Sequence, residues 1–157
     1  MSFSAGAAHA GLRSQTGLGA LKKEYRSQVT SSHFQFEASV DLDSHFKKSE
    51  ANLHRWDYGI GLTLQTGETL AIWIEPHPAS SGSEVDKVIK KFQWLIGKLN
   101  QNTFEQLKAQ TELAQRQLNH PFRWVYSGNC SYRAGGKEAK KLASVGLKLP
   151  ERTVKLP

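Results

Sequence analysis

Two carboxylates and a histidine flank a predicted β-hairpin in the segment WDYGIGLTLQTGETLAIWIEPHP, residues 56–78. Asp57 precedes the first strand, whereas Glu75 and His77 end the second. Both strands carry aliphatic residues at even positions, and residues that oppose each other across a hairpin point to the same side. Two registers fit this pattern: one sets Asp57 opposite Glu75, and the other sets Asp57 opposite His77. In either register the three side chains share one face.

Two neighbouring carboxylates require a positive charge between them, because like charges repel at short range. A divalent cation or a lysine ammonium would fill this position. Lys91 lies on the flank of the apolar stripe of a helix predicted over residues 83–99, and its long side chain can reach back toward the sheet. Gly59 and Gly61 lie on the same face as the carboxylates and leave room for Trp73 or for a ligand.

The same residues have a purely structural interpretation, which the sequence leaves open. Asp57 would then simply follow the loop that precedes a strand, and Glu75 would pair with Arg55 at the surface. His77, which stands between two prolines, would be a rigid and exposed loop residue.

Hydrophobic periodicity predicts the elements that position these residues. Apolar and polar residues alternate over residues 33–42, as in a half-buried strand, and a polar loop over residues 43–54 leads to the hairpin. Apolar residues at spacings of three and four predict amphipathic helices. The predicted helices cover residues 17–29, 83–99, 104–118 and 137–146, and one more strand covers residues 122–129.

These elements predict a single α/β domain with a small mixed β-sheet of about four strands, in which the antiparallel hairpin is central and helices flank the sheet. We expect residues 1–16 to form a flexible tail and residues 17–157 to form the domain. No apolar run approaches the ~20 residues that cross a membrane, and the N-terminal segment lacks the pattern of a secretory signal. The single cysteine, Cys130, fits a reducing cytoplasm.

The net charge of +7 is concentrated toward the C-terminus. Most of the excess lies within residues 133–157, where seven basic residues accompany two acidic ones. Such a cluster attracts the phosphates of DNA or RNA, although a solvated surface helix has the same composition. The candidate nucleic-acid-binding residues are Arg55, Arg123, Arg133, Lys137, Lys140 and Lys141.

The element order, with Asp57 before the first hairpin strand and IEPH at the end of the second, resembles the PD-(D/E)XK nuclease superfamily. The resemblance covers roughly residues 17–132 and implies a restriction-endonuclease-like fold. It makes Asp57 and Glu75 the metal-binding carboxylates for Mg²⁺ or Mn²⁺, and adds His77 and Lys91 as catalytic residues. His77 stands where the family has a lysine, which the following helix would supply as Lys91, and WD replaces the family's PD.

The activity that this resemblance implies is metal-dependent hydrolysis of phosphodiester bonds. The alternative is a catalytically inactive module of the same fold, which binds nucleic acid or a protein partner. A third interpretation is an unrelated small α/β protein whose acidic pair is structural.

Overall fold

The predicted hairpin lies at the centre of a five-stranded sheet in a computed structural model, which describes residues 1–157. The strands are β1 (Ser14–Thr16), β2 (Val29–Ser31), β3 (Gln35–Asp41), β4 (Tyr58–Thr63), β5 (Thr69–Pro76), β6 (Phe122–Val125) and β7 (Val154–Leu156). The helices are α1 (Phe3–His9), α2 (Lys23–Arg26), α3 (Leu42–Phe46), α4 (Ser83–Leu99), α5 (Glu105–Leu118) and α6 (Lys137–Ser144), with a 3₁₀ turn at Asn102–Phe104.

The sheet has the order β1-β3-β4-β5-β6. Strands β3, β4 and β5 are antiparallel neighbours, and β6 is parallel to β5. A parallel neighbour needs a crossover of a dozen or more residues, which α4 and α5 supply. The α/β class, the mixed sheet and the central hairpin are therefore confirmed, with five strands in place of about four. Strands β2 and β7 form a separate two-stranded parallel sheet.

The hairpin adopts the first of the two predicted registers. Tyr58 pairs with Ile74, and the pairing continues inward to the turn. The next position outward therefore sets Asp57 opposite Glu75. Gly67 closes the turn with a φ of 87°, which glycine adopts without the steric penalty of a side chain.

Both faces of the hairpin are buried in apolar cores. Even-numbered residues such as Ile60 and Ile72 pack with apolar residues of β2 and β7. Odd-numbered Trp73 packs instead with residues of α1 and α4, including Phe3. Asp57 and Glu75 are also odd-numbered, so the face to which they point is the face that α4 covers.

The N-terminal segment is not the flexible tail that the sequence predicted. Residues 3–9 form α1, in which Phe3 and Ala7 are fully buried. The carboxylate of Glu37 on β3 accepts hydrogen bonds from the backbone N–H groups of Phe3 and Ser4 at 2.8 and 3.0 Å, and satisfies donors that the first turn of a helix leaves free. Phe3 packs where Gly61 has no side chain, so protein rather than ligand fills that space.

Two other predicted elements are also wrong. The helix expected over residues 17–29 is only α2, because Gly17 takes a positive φ of 57° and Val29 enters β2. The polar loop over residues 43–54 contains part of α3, which Asp41 caps by accepting a hydrogen bond from the N–H of Ser44 at 2.9 Å. The sequence also gave no signal for the short strands β1, β2 and β7.

No helix in this structure has both the length and the hydropathy needed to cross a membrane.

We expect Gly61→Ala to destabilise the protein by roughly 1–3 kcal/mol, because a Cβ at this position overlaps the side chain of Phe3. Gly97→Ala is the matched control: it lies in α4 with no atom within 4 Å of the added Cβ, and should stabilise by up to about 1 kcal/mol. Urea unfolding of both variants measures the difference. Equal stability of Gly61→Ala and the parent chain would show that α1 does not dock on the sheet.

Candidate functional site

The site centres on Glu75, whose carboxylate is fully buried at the end of β5. A buried carboxylate is costly unless hydrogen bonds and an opposite charge compensate it. One oxygen, Oε1, accepts a hydrogen bond from the backbone N–H of Asp57 at 2.9 Å. The other, Oε2, accepts one from Lys91 Nζ at 2.6 Å. Glu75 therefore ties the hairpin's open end to the middle of α4.

Lys91 also joins the two carboxylates. Its Nζ lies 3.5 Å from Oδ1 of Asp57, so one ammonium lies within ion-pair distance of both acidic residues. Burial alone would lower the pKa of Lys91, but the negative charges of Glu75 and Asp57 outweigh it and raise that pKa. The lysine therefore stays charged at neutral pH and fills the position that the sequence reserved for a lysine or a metal ion.

Asp57 is less well compensated than Glu75. Its side chain is 23% exposed, and Oδ2 accepts no hydrogen bond from the protein. Burial and then the neighbouring charge of Glu75 raise its pKa from 3.8 to about 7, against the opposing effect of Lys91. One ammonium therefore does not fully neutralise two carboxylates at this site.

His77 completes the predicted group and brings a residue that the sequence analysis did not select. Its Nδ1 lies 3.7 Å from Oε2 of Glu75, and its Nε2 forms a hydrogen bond with Glu84 in the first turn of α4. Burial raises the pKa of Glu84, but hydrogen bonds from His77 and Lys87 outweigh it and lower that pKa. The indole N–H of Trp124 donates to the main-chain carbonyl of His77 at 2.8 Å, which fixes the loop.

The four predicted catalytic residues are thus brought together at one edge of the sheet. Asp57 precedes β4, Glu75 ends β5, His77 follows it, and Lys91 faces them from α4. Glu84 is the functional candidate that was missed. Its only sequence signal is an acidic residue in a first helical turn, which commonly serves the helix alone.

Three of the six predicted nucleic-acid-binding residues form ion pairs with acidic residues of the same chain. Arg55 binds Asp43 with its Nε 3.0 Å from Oδ1, and does not pair with Glu75. Arg123 is buried and binds Glu151 at 2.9 Å. Lys141 forms an exposed ion pair with Asp86 on α4.

The other three basic residues, Arg133, Lys137 and Lys140, are exposed and form no ion pair. They lie at the start of α6 and in the segment before it. Lys137 lines a cleft of about 240 Å³ together with Gly82 and Val85, at the turn of α4 that also carries Glu84. Exposed and unpaired positive charge is therefore available on and before α6, and Lys137 lies beside the first turn of α4.

A comparison of this chain with protein-family models, with curated proteins and with solved structures finds no match.

We expect Asp57→Asn to stabilise the fold at alkaline pH. The raised pKa means that the folded chain holds a proton that the unfolded chain has lost, so stability falls as the pH rises from about 4 to about 7. The variant removes this dependence, and at pH 8 it should be more stable by roughly 1–3 kcal/mol. Urea unfolding across this pH range measures the gain, with Asp86→Asn as an exposed control that should change little. A loss of stability in Asp57→Asn at pH 8 would contradict the described charge balance.

Proposed function

We propose that this chain is a metal-dependent nuclease of the PD-(D/E)XK kind that hydrolyses phosphodiester bonds. The observation that carries the proposal is the convergence of Asp57 and Glu75 on a single ammonium, with distances of 3.5 and 2.6 Å to Lys91 Nζ. A strand hairpin and the following helix supply these groups, in the order that the sequence resemblance implies. Carboxylates that share a site with a lysine are a recurrent arrangement for handling charged substrates and activating water.

The carboxylates of Asp57 and Glu75 are the ligand type that a hard divalent cation such as Mg²⁺ or Mn²⁺ prefers, and the ion would share them with the ammonium of Lys91. Both candidate ligands are carboxylates, and Mg²⁺ is commonly bound through one or two carboxylates with water in its other positions. Asp57 is partly exposed and has an oxygen without a protein donor, so it is the accessible ligand. Glu75 is buried beside it and would be the second ligand. When bound, such an ion lowers the pKa of a coordinated water and polarises a phosphate oxygen.

The other residues of the group have roles that follow from their charge and position. Lys91 is held by two carboxylates, so its ammonium is fixed where it can stabilise negative charge on a phosphate. His77 is fixed by Glu84 and by Trp124, and can orient a water molecule next to Glu75. In this proposal Lys91 and His77 together replace the lysine that the family has after the second carboxylate. Lys91 stabilises charge on the phosphate, and His77 orients the water.

The partner that we propose is nucleic acid, either DNA or RNA. The exposed and unpaired cations Arg133, Lys137 and Lys140 would contact its phosphates, since each contact releases bound counterions. A reducing, cytoplasmic location is proposed on the ground that Cys130 is the only cysteine.

A second candidate is a catalytically inactive module of the same fold that binds nucleic acid or a protein partner. The specific observation in its favour is that Lys91 already compensates both carboxylates, while Glu75 has no exposed surface. In this case the ion pairs would be structural, and binding of the polyanion would not depend on Asp57.

We expect the purified chain to cleave plasmid or single-stranded DNA, or RNA, only when Mg²⁺ or Mn²⁺ is added. Asp57→Asn and Lys91→Met should each lower the rate by more than about 100-fold, as loss of groups that stabilise charge in a transition state commonly does. Gel electrophoresis of timed reactions measures the rate, and Asp86→Asn on the surface of α4 should retain it.

Asp57→Asn keeps this test interpretable, because the substitution should not unfold the protein. Cleavage that survives in Asp57→Asn would exclude the proposed site. Salt-dependent binding without any cleavage by the parent chain, and equal binding by Asp57→Asn, would instead favour the inactive module.

A further inference from the structure

A cleft of about 210 Å³ opens at the same edge of the sheet as His77, on the side toward α2. Its walls are formed by Glu24, Tyr25 and Gln28 from α2 and the residues after it, by Pro76–Pro78, and by Ser127. The cleft lies at the carboxyl ends of the parallel strands β5 and β6. Open α/β sheets commonly bind ligands at this edge.

The walls of the cleft combine the ring surfaces of Tyr25, Pro76 and Pro78 with one unpaired carboxylate, that of Glu24. Tyr25 is half-buried and packs against Tyr58 with ring centroids 6.2 Å apart, which holds its ring in place. Gln28 is fixed because its Nε2 donates to the carbonyls of Tyr126 and Arg152 at 3.1 and 3.2 Å, and its Oε1 is buried, so it presents no acceptor to the cleft. Glu24 is exposed and forms no ion pair. An aromatic ring that carries amino groups would match these walls.

Positive charge adjoins the cleft on α2. Lys22 and Lys23 are exposed and form no ion pair. The backbone N–H of Lys22 donates to the hydroxyl of Tyr58 at 3.4 Å, and Tyr58 directly follows Asp57 in the chain. The two lysines directly precede Glu24 of the cleft in the chain. Their neighbours Leu21 and Tyr25 pack in the core on one face of the sheet, whereas Leu142 of α6 packs in the core on the other face.

We propose that the cleft binds one unstacked nucleobase of a single-stranded nucleic acid, with Lys22 and Lys23 contacting its backbone. Pockets that bury a whole small ligand measure ~300–1,000 Å³, so this cleft takes one ring of a longer molecule. A base within a duplex is stacked and cannot enter such a cleft without being extruded. This inference rests on the proposed function, which supplies nucleic acid as the ligand. It adds that the nucleic acid is single-stranded and passes over the cleft and the two lysines.

The lysine contacts are tested by the salt dependence of binding to a short, labelled single-stranded oligonucleotide. Fluorescence anisotropy is measured in EDTA at several salt concentrations. The slope of log K against log salt is negative, and each lost phosphate contact reduces its magnitude by ~0.7 for a single strand, so Lys22→Gln/Lys23→Gln should reduce that magnitude by roughly 1.4. The control, Lys108→Gln/Arg116→Gln on α5, removes the same charge from exposed positions away from the cleft.

The cleft itself is tested by Ser127→Trp, which fills it from an exposed position. This variant should bind the single strand about tenfold more weakly, since one stacked base contributes ~1–3 kcal/mol, and should leave the salt slope unchanged. Ser144→Trp at the end of α6 is the control and should bind like the parent chain.

Three results would overturn the inference: equal slopes for the two double variants, unchanged affinity in Ser127→Trp, or binding of the matching duplex as tight as that of the single strand. Absence of binding at low salt would overturn it as well. Because EDTA removes divalent ions, these measurements do not require cleavage. A chain that binds as described and never cleaves would contradict the nuclease and leave the cleft assignment intact.

Discussion

A carboxylate with no exposed surface at the end of β5 imposes the constraint on which the site depends. The N–H of Asp57 and the ammonium of Lys91 bind the two oxygens of Glu75 and compensate the burial of its side chain. The first bond requires the register that sets Asp57 opposite Glu75. The second requires α4 to cross the same face of the sheet. The buried side chain of Glu75 therefore links the hairpin to α4 and lies in contact with Asp57, Lys91 and His77.

The two carboxylates are compensated unequally, and the less compensated one, Asp57, is the group that is available to bind a ligand. Glu75 is satisfied by two bonds, whereas Asp57 shares the same lysine at a longer distance and keeps a raised pKa of about 7. Perturbed pKa values cluster at functional sites, and Asp57 combines such a pKa with partial exposure at the edge of the sheet.

The periodic spacing of apolar residues predicts those features of the site in which the geometry of a strand or helix determines where a side chain points. The alternation of even-numbered aliphatic residues places Asp57 and Glu75 on one face, and the helical period places Lys91 beside them. The pairing of His77 with Glu84 depends on the path of the loop between them, which no period constrains. Helix α1 shows the converse: its apolar spacing is present in the sequence, but the small residues around Phe3 resemble a tail, and only the recess above Gly61 explains its burial. The sequence likewise does not show which arginines already have acidic partners, because those partners are distant along the chain.

We propose that Asp57 and Glu75 together form a binding site for one divalent cation. Isothermal titration calorimetry of Mn²⁺ at pH 8, where Asp57 is mostly ionised, tests it most directly. The account predicts one bound ion per chain, complete loss of binding in Asp57→Asn, and unchanged binding in Asp86→Asn. Absence of binding in the parent chain, or equal binding in Asp57→Asn, would contradict it and leave Lys91 as the only cation that these carboxylates hold.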